Sequence, residues 1–161
     1  MTSTQQSIAM LGNAALWTLP KTAFLCSDKY SAGSVLKSYD WAGEMRRDGR
    51  CVISGFQSKL ERDVLDILLS GNQPIIIALA RSMYVKPPER LKPYVDAGRL
   101  LFVSPFSSSV TRANRETAFV RNHFIAENAD EVVFGYIHPG GMLERLIAHI
   151  VTEPRVLDRL P

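Results

Sequence analysis

The residues of this chain best suited to meeting an oxyanion are Ser27, Ser54, Gly55, Arg81, Ser104, Arg121, Pro139, Gly140 and Gly141. Each of the serines, together with Gly55 and Arg81, stands just past an apolar run. Pro139-Gly140-Gly141 opens the stretch after the last such run. Hydroxyls and freed backbone N–H groups donate hydrogen bonds to an oxyanion, and a guanidinium adds charge and a rigid fork of donors. Two consecutive glycines remove side chains where a ligand must approach the backbone. Ser54-Gly55 is also consistent with a tight strand-to-helix turn carrying a serine cap.

Other chemistries lack their residues. Neither G-x-G-x-x-G nor G-x-x-x-x-G-K-[ST] occurs, which disfavours a nicotinamide cofactor or a kinase-type ATP site. No G-x-S-x-G elbow accompanies the histidines, and no metal-ligand spacing appears, so neither cofactor nor metal is expected. The carboxylates Asp28, Asp40, Glu61, Asp66, Glu116 and Glu144 show no acid/base spacing. His138, before Pro139, reads either as a phosphate contact or as an ordinary loop histidine. Arg112, Arg115 and Arg121 cluster in sequence, but on one helix Arg115 and Arg121 stand about 120° apart. A solvated face accounts for Lys86, Arg90, Lys92 and Arg99.

The elements that must position these residues follow from hydrophobic patterning. The apolar runs Thr22–Cys26, Cys51–Ile53, Pro74–Leu79, Leu100–Val103 and Glu131–Phe134 do not alternate with polar residues. Such runs mark strands buried on both faces, hence a parallel sheet covered by helices. Helical patterns separate them at Val35–Asp48, Leu60–Leu69, Glu89–Ala97, Asn114–Asn128 and Gly141–Thr152. The expected fold is α/β, a three-layer, doubly wound, Rossmann-like arrangement with a mainly parallel sheet of five or six strands. In such a sheet ligands bind beyond the carboxyl ends of the strands, at the topological switch point, where the residues named above fall.

Bulk properties agree. The chain has 161 residues, with 46% hydrophobic and 22% charged, which fits one domain over residues 1–161 with a lead-in over 1–20. The net charge of +3 is a mild excess that does not repel anions. Cys26 and Cys51 lie in apolar runs and are expected as buried, reduced thiols. No stretch reaches the ~18 apolar residues of a membrane span, and no secretory leader is visible. A cytoplasmic location, no membrane partner and a homo-oligomer are expected.

Five segments together resemble the Rossmann-like core of the DNA-processing protein A (DprA/Smf) family: TAFLCSDKYSAG, CVISGFQSKLERDVLDILL, QPIIIALARSM, GRLLFVSPF and RNHFIAENADEVVFGYIHPGG. They span roughly Lys21 to Ile150. Arg121-Asn122-His123-Phe124-Ile125-Ala126 resembles the family's R-N-R-x-I-A element, with His123 in place of the second arginine. Ser54-Gly55 matches its strand-end Ser-Gly, while Cys26-Ser27 stands where Gly-Ser is common. Members usually carry further small domains, and none is expected within these 161 residues. The resemblance implies binding of a nucleotide or single-stranded DNA along the glycine-lined rim, with DNA recombination as the setting.

The Lonely Guy phosphoribohydrolases, of the same superfamily, pair an arginine with P-G-G-x-G-T-x-x-E. Arg121 and Pro139-Gly140-Gly141 match its first parts, but Leu143 and Glu144 replace Gly-Thr, and Ile147 falls on the glutamate position. Glu144, one turn earlier, is the only substitute carboxylate. A sensor of a nucleotide-derived ligand is a further alternative. Binding is favoured over catalysis.

Overall fold

The five apolar runs become the central strands of a sheet: β2 (Lys21–Leu25), β3 (Cys51–Ser54), β4 (Ile75–Ala78), β5 (Leu100–Ser104) and β6 (Glu131–Phe134). The computed structural model describes residues 7–158. Residues 1–6 and 159–161, part of the expected domain and its lead-in, lie outside the described residues. Two edge strands, β1 (Ala9–Gly12) and β7 (Arg155–Val156), extend the sheet to seven, in the order β1-β5-β4-β3-β2-β6-β7. Only β1 runs antiparallel, pairing Ala9 with Ser104 and Gly12 with Leu101. Residues 9–12 of the lead-in are thus part of the sheet, and the 3-10 helix Ala14–Thr18 that follows packs on it.

Strand residues alternate between two cores, as the period of two demands. Phe24, Val52, Ile75, Ile77, Leu100 and Phe102 face one side. Leu25, Ile53, Ile76, Ala78, Leu101 and Val103 face the other. Helices α1 (Ala32–Asp48), α2 (Lys59–Leu69) and α3 (Lys92–Asp96) lie against the first face. There Trp41 of α1 stacks on Phe24, ring centroids 5.0 Å apart. Helices α4 (Arg115–Asn128) and α5 (Met142–Ile147) cover the second through Phe124, Ile125, Leu143 and Leu146. Both faces of the sheet are therefore dry, which is why its strands carry no polar alternation.

The chain steps outward from β2 through β3 and β4 to β5. It then returns along α4 and enters β6 on the opposite flank of β2. That reversal places the switch point between the carboxyl ends of β2 and β6.

Three local expectations change. The last helix ends at Ile147 instead of Thr152, because the chain beyond it turns back to lay Arg155 and Val156 beside Val133 and Phe134. The helix expected over Glu89–Ala97 is confined to Lys92–Asp96, with Pro93 in its first turn, where a missing N–H costs nothing. Arg99 is not on a solvated face. Its Nε donates to the Gln73 carbonyl at 2.8 Å, and Nη1 donates to the Leu69 carbonyl at 3.0 Å. The guanidinium thereby satisfies a carbonyl that the end of α2 leaves unpaired.

Candidate functional site

A cavity of about 840 Å³ opens at the switch point. Its lining comes from the loops after β2, β3 and β6 and from α2, α4 and α5, and includes Ser27, Ser58, Glu61, Arg121, Asn122 and Pro139-Gly140-Gly141.

Arg121 is the centre of this arrangement. It lies in the middle of α4, yet only 3% of its surface is exposed. Its Nε donates to Asn122 Oδ1 at 2.8 Å, while Nη1 is buried and meets no acceptor among the described residues. The guanidinium rests on the β3–α2 turn at Gly55. A Cβ on Gly55 would stand 2.4 Å from both Cζ and Nη1. Glycine at 55 thus leaves the room in which the Arg121 guanidinium lies. Burial pushes the Arg121 pKa below the usual guanidinium range, and the negative charge of Glu61 works against that fall. The group nevertheless stays charged.

Glu61 supports this site, although no acid/base spacing singles it out. It is 4% exposed and occupies the third position of α2, closing a capping box with Ser58. Oε1 accepts from the Gln57 N–H at 2.9 Å, and Oε2 accepts from the Cys26 N–H at 2.9 Å. One carboxylate thereby joins the ends of β2 and β3 and places negative charge near Arg121. The pattern Ser58-x-x-Glu61 before an apolar run was its visible signature. The turn it closes holds Phe56 at φ 50°, a left-handed conformation uncommon outside glycine. Burying the Phe56 ring in the core offsets a strain of roughly 1–3 kcal/mol.

Ser27 links the other two loops. Its N–H donates to the Tyr136 carbonyl at 3.0 Å, and its Oγ accepts from the His138 N–H at 2.9 Å. Gly140 adopts φ 77°, which a glycine takes without strain, and its N–H donates to Glu144 Oε1 at 3.1 Å. Gly141 donates to the His138 carbonyl at 3.0 Å. These bonds fix the loop over the cavity and occupy the two glycine N–H groups.

Other expected members of the rim stand apart from it. Ser54 and Ser104 are fully buried. Ser54 Oγ accepts from the Phe56 N–H at 3.1 Å. Ser104 Oγ accepts from the Phe106 N–H at 3.1 Å and donates to the Arg81 carbonyl at 2.6 Å. Both hydroxyls shape turns, because a serine ending a strand readily bonds its own backbone two residues on. Arg81 does not line the cavity. Its guanidinium lies over Tyr84, 5.0 Å from the ring centroid, and its Nε donates to the Ser82 carbonyl. The cavity therefore gathers Ser27, Arg121 and Pro139-Gly140-Gly141, with Gly55 beneath the guanidinium, and leaves Arg81, Ser54 and Ser104 outside.

Cys26 and Cys51 are free and buried, as expected. Among the described residues no group of three His, Cys, Asp or Glu side chains could hold a metal ion, and no helix is long and apolar enough to cross a membrane.

By sequence, no family model and no curated protein matches this chain. By architecture there are clear likenesses. DNA processing protein A from Helicobacter pylori, described for its single-stranded DNA binding mode, superposes with a TM-score of 0.74 at 17% identity, over 95% of this chain and 72% of its own. The homologous protein from Streptococcus pneumoniae gives 0.72 at 16% identity, over 92% of this chain. This chain spans 54% of that protein's length. A molybdenum cofactor carrier protein from Chlamydomonas reinhardtii reaches 0.54 at 10% identity, over 85% of this chain and 75% of its own. This chain therefore has the fold of the Rossmann-like core of DNA processing protein A.

Proposed function

We propose that this protein binds a nucleotide phosphate, carried by single-stranded DNA or a free nucleotide, in the cavity at the switch point. One observation carries the proposal: a buried, charged guanidinium beneath the cavity has a donor, Arg121 Nη1, without an acceptor among the described residues. A buried donor without a partner costs about 1–3 kcal/mol, and an oxyanion bound at Arg121 would remove that cost. Lys29, Arg115 and Arg145 add positive charge to the lining, opposed by Asp28, Glu61 and Glu116. The single-stranded DNA binding of the Helicobacter pylori protein, which shares the fold, supports a strand as the ligand.

The site is built for binding and not for glycosidic hydrolysis. Ile147 holds the position of the required glutamate, Glu61 accepts from backbone at both oxygens, and Glu144 accepts from Gly140. Neither Glu61 nor Glu144 is left free to stabilise an oxocarbenium-like transition state.

Fluorescence anisotropy with a labelled oligodeoxythymidine, repeated across a salt series, tests this. Affinity should fall linearly with the logarithm of salt, by about 0.7 decades per decade for each phosphate neutralised. Arg121→Ala should weaken binding roughly tenfold or more, the worth of a charge-assisted hydrogen bond. Lys92→Ala, on an exposed side chain paired with Asp96, should leave affinity unchanged. Absence of binding at low salt, by strand and mononucleotide alike, would overturn the proposal. So would an Arg121→Ala protein that binds like the parent.

A further inference from the structure

We infer that Arg145, lying flat on Phe119 at the edge of the cavity, is a stacking platform for one nucleobase of the ligand whose phosphate meets Arg121. The inference rests on the phosphate site proposed above and adds the base to it.

Arg145 stands in the last turn of α5, and Phe119 lies in α4. Both line the cavity. The Arg145 guanidinium carbon sits 3.8 Å from the Phe119 ring centroid. At that separation an upright guanidinium would drive a nitrogen into the ring, so the group must lie nearly parallel to it. Phe119 thus covers one face of the guanidinium. The Arg145 side chain is still 57% exposed, so its other face is open.

Two neighbours hold the pair without covering it. Glu116 approaches Arg145 Nη2 at 3.8 Å. Between exposed groups such a pair adds little stability, and its effect is orientation. His149 meets Phe119 edge-on, with rings at 89° and centroids 6.0 Å apart, which restrains the ring from the side.

A planar, delocalised, weakly hydrated cation with one face on an aromatic ring presents its second face to another π system. Every base has such a face, so the platform is tolerant of sequence. Bases stacked within a duplex do not offer theirs. The platform therefore selects unpaired nucleic acid or a free nucleotide. A lysine would keep the charge at this position but lose the plane.

The test compares two labelled strands with equal numbers of phosphates: an oligodeoxythymidine, and a strand of abasic deoxyribose phosphates. The parent protein should prefer the strand with bases by roughly fivefold or more. Arg145→Lys should lose that preference while binding the abasic strand like the parent. Phe119→Leu, which removes the ring beneath the guanidinium, should do the same. Circular dichroism melting of each variant confirms that it folds. Arg121→Ala should weaken both strands by the same factor, which separates the phosphate contact from the base contact. Arg145→Lys retaining the preference overturns the inference and leaves the phosphate site standing, as does a parent protein that shows none. Failure of the parent to bind either strand at low salt overturns both.

Discussion

Gly55 and Arg121 are far apart in sequence, yet each determines the use of the other. The guanidinium can lie beneath the cavity only because residue 55 has no Cβ, which would stand 2.4 Å from its carbon. Gly55→Ala should therefore act on binding more than on folding. The far end of an arginine moves away more readily than backbone does, so the fold survives at a cost of about 1–3 kcal/mol from local overpacking. The displaced guanidinium no longer meets the ligand. Oligonucleotide affinity should fall to that of Arg121→Ala, and the double variant should be no weaker than either single one. Additive losses in that double-mutant cycle would show that the two residues act separately. Ser27 contributes differently, since its hydroxyl already accepts from His138, and its part is to tie two loops together.

Among the elements, the β3–α2 turn sets the site, and Glu61 holds the turn. Its two oxygens accept from backbone N–H groups on both sides of the crevice, at Cys26 and Gln57. Glu61→Gln keeps the size but presents a donating NH₂ to one of these N–H groups and removes charge. The expected loss is about 1.5–3 kcal/mol, visible as a lower urea midpoint with an unchanged slope, together with weaker oligonucleotide binding. A variant with the parent's midpoint would refute this role. The sequence made the central strands legible because burial on both faces leaves no polar residue within them. It did not reveal β1 and β7, which pair on one side only over four and two residues, too few for a pattern. The site was half legible for a related reason. Ser54, Ser104 and Ser27 look alike past a strand end, and burial alone decides whether a hydroxyl turns inward to its own backbone. Arg121 and Ser54-Gly55 were visible as separate signals, while their contact depends on the return of α4 across the sheet. Phe119 and Arg145 carried no signal, because their stacking joins two helices that no local spacing relates.

For the molecule as a whole, the two cysteines report on whether the sheet opens as one unit. Cys26 packs in the core beneath α1 and α2, and Cys51 in the core on the opposite face of the sheet. Burial pushes the Cys26 thiol up to about 12, with Glu61 adding to the effect, and pushes Cys51 up to about 11. Only the thiolate is the nucleophile, so at pH 8 both groups are slow through their ionisation as well as their inaccessibility. Neither should react with a thiol reagent such as dithionitrobenzoate in the native protein. With increasing urea both should become reactive together, because each core is built from alternate residues of the same strands and neither can open alone. The two labelling rates, resolved by mass spectrometry of peptides, should then follow one unfolding free energy. If either thiol reacts with the folded protein at the rate of an exposed cysteine, the sheet does not open as a single cooperative unit. A bound oligonucleotide should slow both rates equally, since a ligand that binds only the folded chain stabilises every part of a unit that unfolds as one.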